Sequence, residues 1–446
     1  MKLLIKNGTV VTPANRSKLD ILVVDGKIAS LSAPMLISEN TADTVIDAEG
    51  LYVLPGIIDA HVHFRDPGHT YKEDFSTGSA AAAAGGVTTV FDMPNNMPRT
   101  VGKAELEEKL EAIKGKAYVD YALYGLLTSE NCGRIEELVR CGIRGFKCLM
   151  GISAMNTPTG RDVDIWRGSE ILRDTGIPIS VHAEDTQIVA QAREDLQKDG
   201  RNDPVAHMLS HPPISETLAV ERAIMAAEAV GGRIHIAHIS AKETVQLIRE
   251  AKRRGVKVTC EVGPHNLFFT DKDYDRKGSS MFMNPPIRSA EHQQALLEGI
   301  IDGTIDMIAT DHAPHSDEEK SMKNGVFSAK SGFCGVETEV GAMLTLINRG
   351  LLTLEQYAKV GSENAARLFR LYPKKGCIAV GSDADFTIVD MKRSYVVKKE
   401  NLHSRSKTSA FDGEEFTGMP VYTVVRGNIV MDHGRLSDSR IGEFLC

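Results

Sequence analysis

The sequence predicts a (β/α)8 barrel of the α/β class, joined to a small β-sandwich domain built from both ends of the chain. Three observations predict it. Eight apolar, β-branched runs each end in a polar or ionisable residue and lead into a helical segment. The two ends of the chain switch to short strands separated by turn residues. The length, 446 residues, exceeds one ordinary domain and suits a barrel with an accessory domain.

At the N-terminal end, strand signals lie at 3–6, 10–12, 21–24, 27–31 and 44–47, with Asn7-Gly8, Asp25-Gly26 and Glu49-Gly50 as turns. The C-terminal end resumes this pattern, with a strand at 384–390 and a hairpin over 421–430 turning at Gly427-Asn428. These ends, 1–53 and 374–446, read as one sandwich; two separate small β units are the alternative. Between them, 54–373 alternates regularly. Strands are expected at 53–63, 88–93, 118–126, 144–149, 178–182, 234–238, 257–262 and 306–310, each followed by a helix or a loop and helices. A doubly wound open sheet is the rival fold. It commonly places a Gly-rich phosphate turn after strand one, where this chain has His61 and His63.

Composition narrows the function. Hydrophobic residues make up 42% and charged residues 25%, as in ordinary soluble domains. The net charge is −8 and there is no long basic run, which argues against nucleic acid as a partner. An anionic small-molecule substrate would need a local positive site. Seven scattered cysteines without a C-x-x-C pair suit a reducing compartment. The opening Met1-Lys2-Leu3-Leu4-Ile5-Lys6 is too short an apolar run for a signal peptide. No stretch approaches the roughly 18–20 apolar residues of a membrane span. The expectation is a cytoplasmic protein, able to form a homo-oligomer, with no membrane partner.

In β/α barrels chemistry gathers at the C-terminal strand ends. Those ends carry His61 and His63, Asn95, Lys147, His182, His238, His265, and Asp311, His312 and His315. Two imidazoles at period-2 spacing point the same way and make a ready chelate for a divalent metal. Singly, His182 and His238 read equally well as core histidines; on one rim with a His-x-His pair they read as ligands. His235 and His238 would face opposite sides of a regular strand. His238, nearer the strand end, is the favoured one. Asp311 can bind metal and move a proton, or simply cap the next turn. Lys147, in an apolar strand, is a buried amine that either reacts with carbon dioxide to give a metal-bridging carbamate or snorkels to the rim or a carboxylate. Arg65, two residues beyond His63, offers a fork for a carboxylate, against a loop salt bridge to Asp66 or Glu73.

These residues resemble the cyclic amidohydrolases of the amidohydrolase superfamily, and the dihydroorotases in particular. The resemblance lies in Gly56-Ile57-Ile58-Asp59-Ala60-His61-Val62-His63-Phe64-Arg65-Asp66-Pro67-Gly68, Met93-Pro94-Asn95, Asn284-Pro285-Pro286-Ile287-Arg288 and Asp311-His312-Ala313-Pro314-His315. Gly145-Phe146-Lys147-Cys148 is more similar to allantoinases and hydantoinases. The resemblance implies two divalent metals, zinc, held by His61, His63 and Asp311 and by His182 and His238, with N6-carboxylated Lys147 as bridge. It further implies a substrate carboxylate on Arg65, Asn95 and His315, and ring amides on Asn284 and the Ser331-Gly332 backbone. Loops 151–162 and 320–332 are expected to cover the pocket.

Overall fold

The computed structural model describes residues 1–151 and 157–446. Eight parallel strands form the barrel: Ile57–Val62, Val87–Asp92, Asp120–Leu126, Gly145–Leu149, Ile179–His182, Ile234–Ile236, Val258–Val262 and Met307–Ile308. Each pairs with its neighbour in sequence. The last meets the first through a parallel bridge between Val62 and His312 and a 2.8 Å bond from the His63 N–H to the His312 carbonyl. Buried Asp59 reinforces this seam by accepting from the Thr310 N–H at 3.1 Å and from the Thr310 hydroxyl. Strands buried on both faces need continuous apolar or internally bonded runs; Val87–Asp92 is buried throughout.

The surrounding helices follow their local signals. Asp74 caps Phe75–Ala84 by accepting from the Thr77 N–H at 2.9 Å. This helix is alanine-rich because it lies hard against the strand: a Cβ at Gly78 would come within 2.4 Å of Phe64. Lys242–Arg253 buries Thr244, Val245, Ile248 and Ala251, the spacing of one helical stripe.

The two ends of the chain form one mixed nine-stranded sheet with its own core, around Ile5, Val23, Val53, Phe386 and Val424. Tyr52–Pro55 joins them, pairing parallel with Lys2–Val11 and antiparallel with Phe386–Val396. Three expectations are corrected. The run 53–63 is two strands belonging to different sheets. They part at Gly56, where a Cβ would fall 2.3 Å from the Thr88 hydroxyl and 2.7 Å from Asp385. Asn7-Gly8 is no turn but a bulge inside the continuous strand Lys2–Val11, held by an Asn7 N–H bond to Asp20. The C-terminal hairpin turns at Arg426-Gly427, both with positive φ, one residue earlier than the sequence suggests.

Lys375 links the sheet to the barrel. Its ammonium, almost fully buried, lies 2.7 Å from Asp120 of the third barrel strand, 2.6 Å from Asp385 and 3.2 Å from Asp383. Burial opposes its charge, but the three carboxylates outweigh it and hold the group above its ordinary range. Lys375→Met removes the ammonium the three carboxylates share; Asp120 keeps Arg426 at 3.1 Å and Asp383 keeps Lys27 at 2.6 Å, but Asp385 is left buried without a cation. It should destabilise the protein by about 3–5 kcal/mol, read as a fall in the urea midpoint; an unchanged midpoint would contradict this account of the junction.

Candidate active site

The cavity at the C-terminal mouth of the barrel is lined by His61, His63, Arg65, Asn95, Lys147, His182, His238, Asn284, Asp311, Ser331 and Gly332, together with Leu149, Met283 and Ala313. Side chains more than 250 positions apart thus meet at one place. Asp311 Oδ1 lies 3.0 Å from His63 Nε2 and 3.5 Å from His61 Nε2. These three residues offer ligand atoms within 4.8 Å of one another. His182 Nδ1 and His238 Nε2 face each other at 3.2 Å. The His61 and His238 rings, with centroids 5.1 Å apart, join the two groups.

The far nitrogens decide what the near ones can do. His61 Nδ1 is bonded to the buried Glu261 carboxylate. His63 Nδ1 lies 2.7 Å from Asn95 Oδ1, and His182 Nε2 lies 3.0 Å from Glu184. An acceptor at the far nitrogen fixes the proton there and leaves a lone pair at the near one. Burial pulls His63 down to about 3 and His238 well below the ordinary histidine range. Burial would raise the Asp311 carboxyl, yet the facing imidazoles, His61 first, hold it well below its usual range. With those imidazoles deprotonated, the His61 and His63 lone pairs face the Asp311 carboxylate, an arrangement that a cation between them relieves. The donor set, imidazole nitrogen plus carboxylate oxygen, suits zinc or a similar divalent ion. The residues present therefore fit the divalent metals that the sequence resemblance implies.

Lys147 is buried with its Nζ 3.3 Å from His61 Nε2, and burial lowers its amine to about 8. The fourth strand carries it to the cavity rather than letting it snorkel to the rim. The Arg65 guanidinium is 4% exposed, and its Nε and Nη1 have no hydrogen-bond partner. The loop salt bridges do not form: Asp66 pairs with Lys116 at 2.8 Å, and Glu73 accepts from the Arg405 N–H at 3.1 Å. Because Asn95 Oδ1 serves His63, its amide NH2 is left to donate into the cavity. Asn284 Oδ1 is buried and also unpartnered.

His315 does not line the cavity. It is buried behind Gly332, where a Cβ would lie 3.1 Å from the His315 ring, and its Nδ1 lies 3.1 Å from the Lys72 ammonium. Its Nε2 is unpartnered. His265 packs on Phe333 away from the lining, and His312 accepts from the Gly335 and Val336 N–H groups. Two geometric arguments need correcting. The first strand ends at Val62, so Arg65 reaches the cavity through a left-handed φ of 61° rather than by alternation. The sixth strand ends at Ile236 and His238 has φ 35°, so parity does not oppose it to His235. Both point inward: His235 Nε2 bonds Glu261 at 3.0 Å, beneath His61. Asp311 also has positive φ, 49°. Left-handed non-glycine residues are uncommon and gather at functional sites.

Sequence reasoning missed Glu261 and Glu184. Glu184 follows His182 by two at a strand end, a signal that period-2 geometry could have found; Glu261 sits in a strand that reads as plain. Of loop 151–162, residues 152–156 lie outside the described residues.

With this geometry in view, comparison with known proteins defines the class. A model described as the amidohydrolase family matches residues 52–430, and the chain belongs to that family. Its relatives are cyclic amidohydrolases. A dihydroorotase from Geobacter sp. (strain M21) is 38% identical over 436 residues, spanning 97% of this chain and 100% of the relative. An allantoinase from Escherichia coli O1:K1 / APEC is 35% identical over 437 residues, spanning 96% and 95%. Among solved structures, an L-hydantoinase (dihydropyrimidinase) from Arthrobacter aurescens matches with a TM-score of 0.96 at 35% identity over 99% of each chain.

Glu261 should matter to metal without touching it. Glu261→Gln weakens its grip on the His61 Nδ1 proton and should lower zinc affinity by about 10–100-fold in equilibrium dialysis. Equal affinity in the variant would show that His61 is oriented by something else.

Proposed function

We propose that this cyclic amidohydrolase is a dihydroorotase, a zinc-dependent catalyst of the reversible hydrolysis of (S)-dihydroorotate to N-carbamoyl-L-aspartate in pyrimidine synthesis. The observation that carries the reading is Arg65, a buried guanidinium with two unpartnered nitrogens beside the histidine cluster. A buried cation lacking hydrogen bonds asks for an anion. Dihydroorotate carries a ring carboxylate; allantoin and dihydrouracil do not. The 38% identity to a dihydroorotase supports the same choice.

His61, His63 and Asp311 would hold one metal, His182 and His238 the other, and the Lys147 amine, as its carbamate, would bridge them. Carbamate formation joins the neutral amine nitrogen to the carbon of carbon dioxide and releases one proton to solvent. The chemistry such metals would supply there is a more acidic water and a polarised amide carbonyl. Asp311 takes the proton of the attacking water and returns it to the ring nitrogen as the amide bond breaks. Arg65 and the Asn95 NH2 hold the substrate carboxylate, and His315 supports them from behind Gly332. Asn284 and the Ser331-Gly332 backbone bind the ring amides. All seven cysteines are free, as suits a cytoplasmic setting; no described helix is long and apolar enough to cross a membrane.

An allantoinase or hydantoinase is the second reading, favoured by the structural match to an L-hydantoinase. A turnover panel of dihydroorotate, allantoin and dihydrouracil with added zinc and bicarbonate separates them. Dihydroorotate should be hydrolysed fastest, and Arg65→Met should weaken its use by about 30-fold or more, as expected for removing one partner of a buried charge pair. Fast turnover of allantoin or dihydrouracil, unaffected by Arg65→Met, would overturn the assignment. Separately, protein loaded with zinc and carbon-labelled bicarbonate should show a labelled carbamate carbon by NMR of the native, folded enzyme, absent in Lys147→Met. An unlabelled Lys147 in zinc-loaded, active enzyme would rule the carbamate out.

A further inference from the structure

The loop 320–332 reads from its sequence as a cover over the pocket, yet its first residue is buried. Lys320 is 4% exposed and forms no ion pair among the described residues. Its Nζ instead donates to three backbone carbonyls: Gly332 at 2.8 Å, Lys330 at 2.9 Å and Phe282 at 3.5 Å. The Gly332 N–H donates to the Phe282 carbonyl at 2.7 Å, so the ammonium sits where two chain segments meet. Those segments supply Met283, Asn284, Ser331 and Gly332 to the cavity lining. Gly332 has φ 124°, and a Cβ there would stand 2.4 Å from the Ala313 carbonyl, two residues from Asp311. The segment is thus pressed against the strand-eight loop on one side and tied to Lys320 on the other.

Burying an ammonium without a carboxylate is unfavourable, and burial pulls this one down to about 7. Charge-assisted bonds to carbonyls offset part of that cost. An apolar side chain of the same length would fill the space without it, so what the lysine adds is the tie itself.

We propose that Lys320 is a positioning residue that fastens 330–332 to 282–284, and so sets the distance between Asn284 and the Ser331-Gly332 backbone at which a cyclic amide is gripped. The grip rests on the reading of the cavity as a ring-amide site; the fastening does not.

Hydrogen exchange on the full-length protein tests the fastening. Lys320→Met should speed exchange at Gly332 and in the peptides around 282–284 and 330–333, and leave the barrel strands as in wild type. Lys320→Arg, which keeps several donors, should recover slow exchange in part. Where Lys320→Met does not fold, Lys320→Gln is measured at the same amides. Kinetics tests the grip, on whichever of dihydroorotate, allantoin or dihydrouracil the wild type hydrolyses. Lys320→Met should raise KM about tenfold while kcat stays within about threefold, the mark of lost binding common to ground and transition states. Wild-type exchange at these amides in Lys320→Met overturns the proposal, as does faster exchange throughout the barrel with kcat falling alongside. If the wild type hydrolyses none of the rings, the ring-amide reading fails, while local exchange changes still support the fastening.

Discussion

An imidazole has two nitrogens, and the barrel mouth depends on how His61, His63 and His182 divide theirs. Each commits its far nitrogen to an acceptor oxygen, from buried Glu261, half-buried Asn95 or buried Glu184. That commitment costs the protein buried polar groups, which stay in place only because they are bonded to one another. Its result is a set of inward imidazole nitrogens, two of them facing Asp311 and one facing His238. His61, His63 and Asp311 stand close enough to share one metal ion. Arg65, Lys147 and Asn284 take their meaning from that centre, since each has capacity left over and lies on the same cavity.

The fold holds these groups at fixed distances. Strands buried on both faces leave little freedom to slide, and the seam between strands one and eight is fastened by Asp59 and Thr310, next to His61 and Asp311. The backbone leaves regular geometry where it delivers chemistry: Arg65, His238 and Asp311 all adopt left-handed φ just past their strands. Such conformations persist when the surroundings over-determine them. Here the parallel ladder on one side and the loop packing on the other do so. The sheet made from both chain ends acts at a distance. Lys375 ties it to the start of the third barrel strand, at the opposite end from the chemistry.

Much of this was legible before any coordinates. Eight apolar runs with helices between them specify a barrel because a parallel strand needs a crossover helix and two covered faces. The His61-His63 pair stood out because imidazoles at the end of an apolar run have few other uses. What escaped the sequence depended on closeness in space. Glu261 reads as an ordinary residue of its strand, and only the barrel sets it between His61 and His235. Lys320 sits in a Gly-, Ser- and Lys-rich stretch, where charge normally means solvent. Tertiary packing buried it. Period-2 reasoning failed at His238 and Arg65 for a single reason: both take a left-handed φ just past the regular strand, where side chains no longer alternate.

Anomalous X-ray diffraction at the zinc edge, on crystals of the purified protein grown with zinc and bicarbonate, tests the central claim most directly. The account predicts two peaks in the barrel mouth, one among His61, His63 and Asp311 and one between His182 and His238. A mouth without anomalous signal, or zinc bound only elsewhere on the molecule, would contradict it.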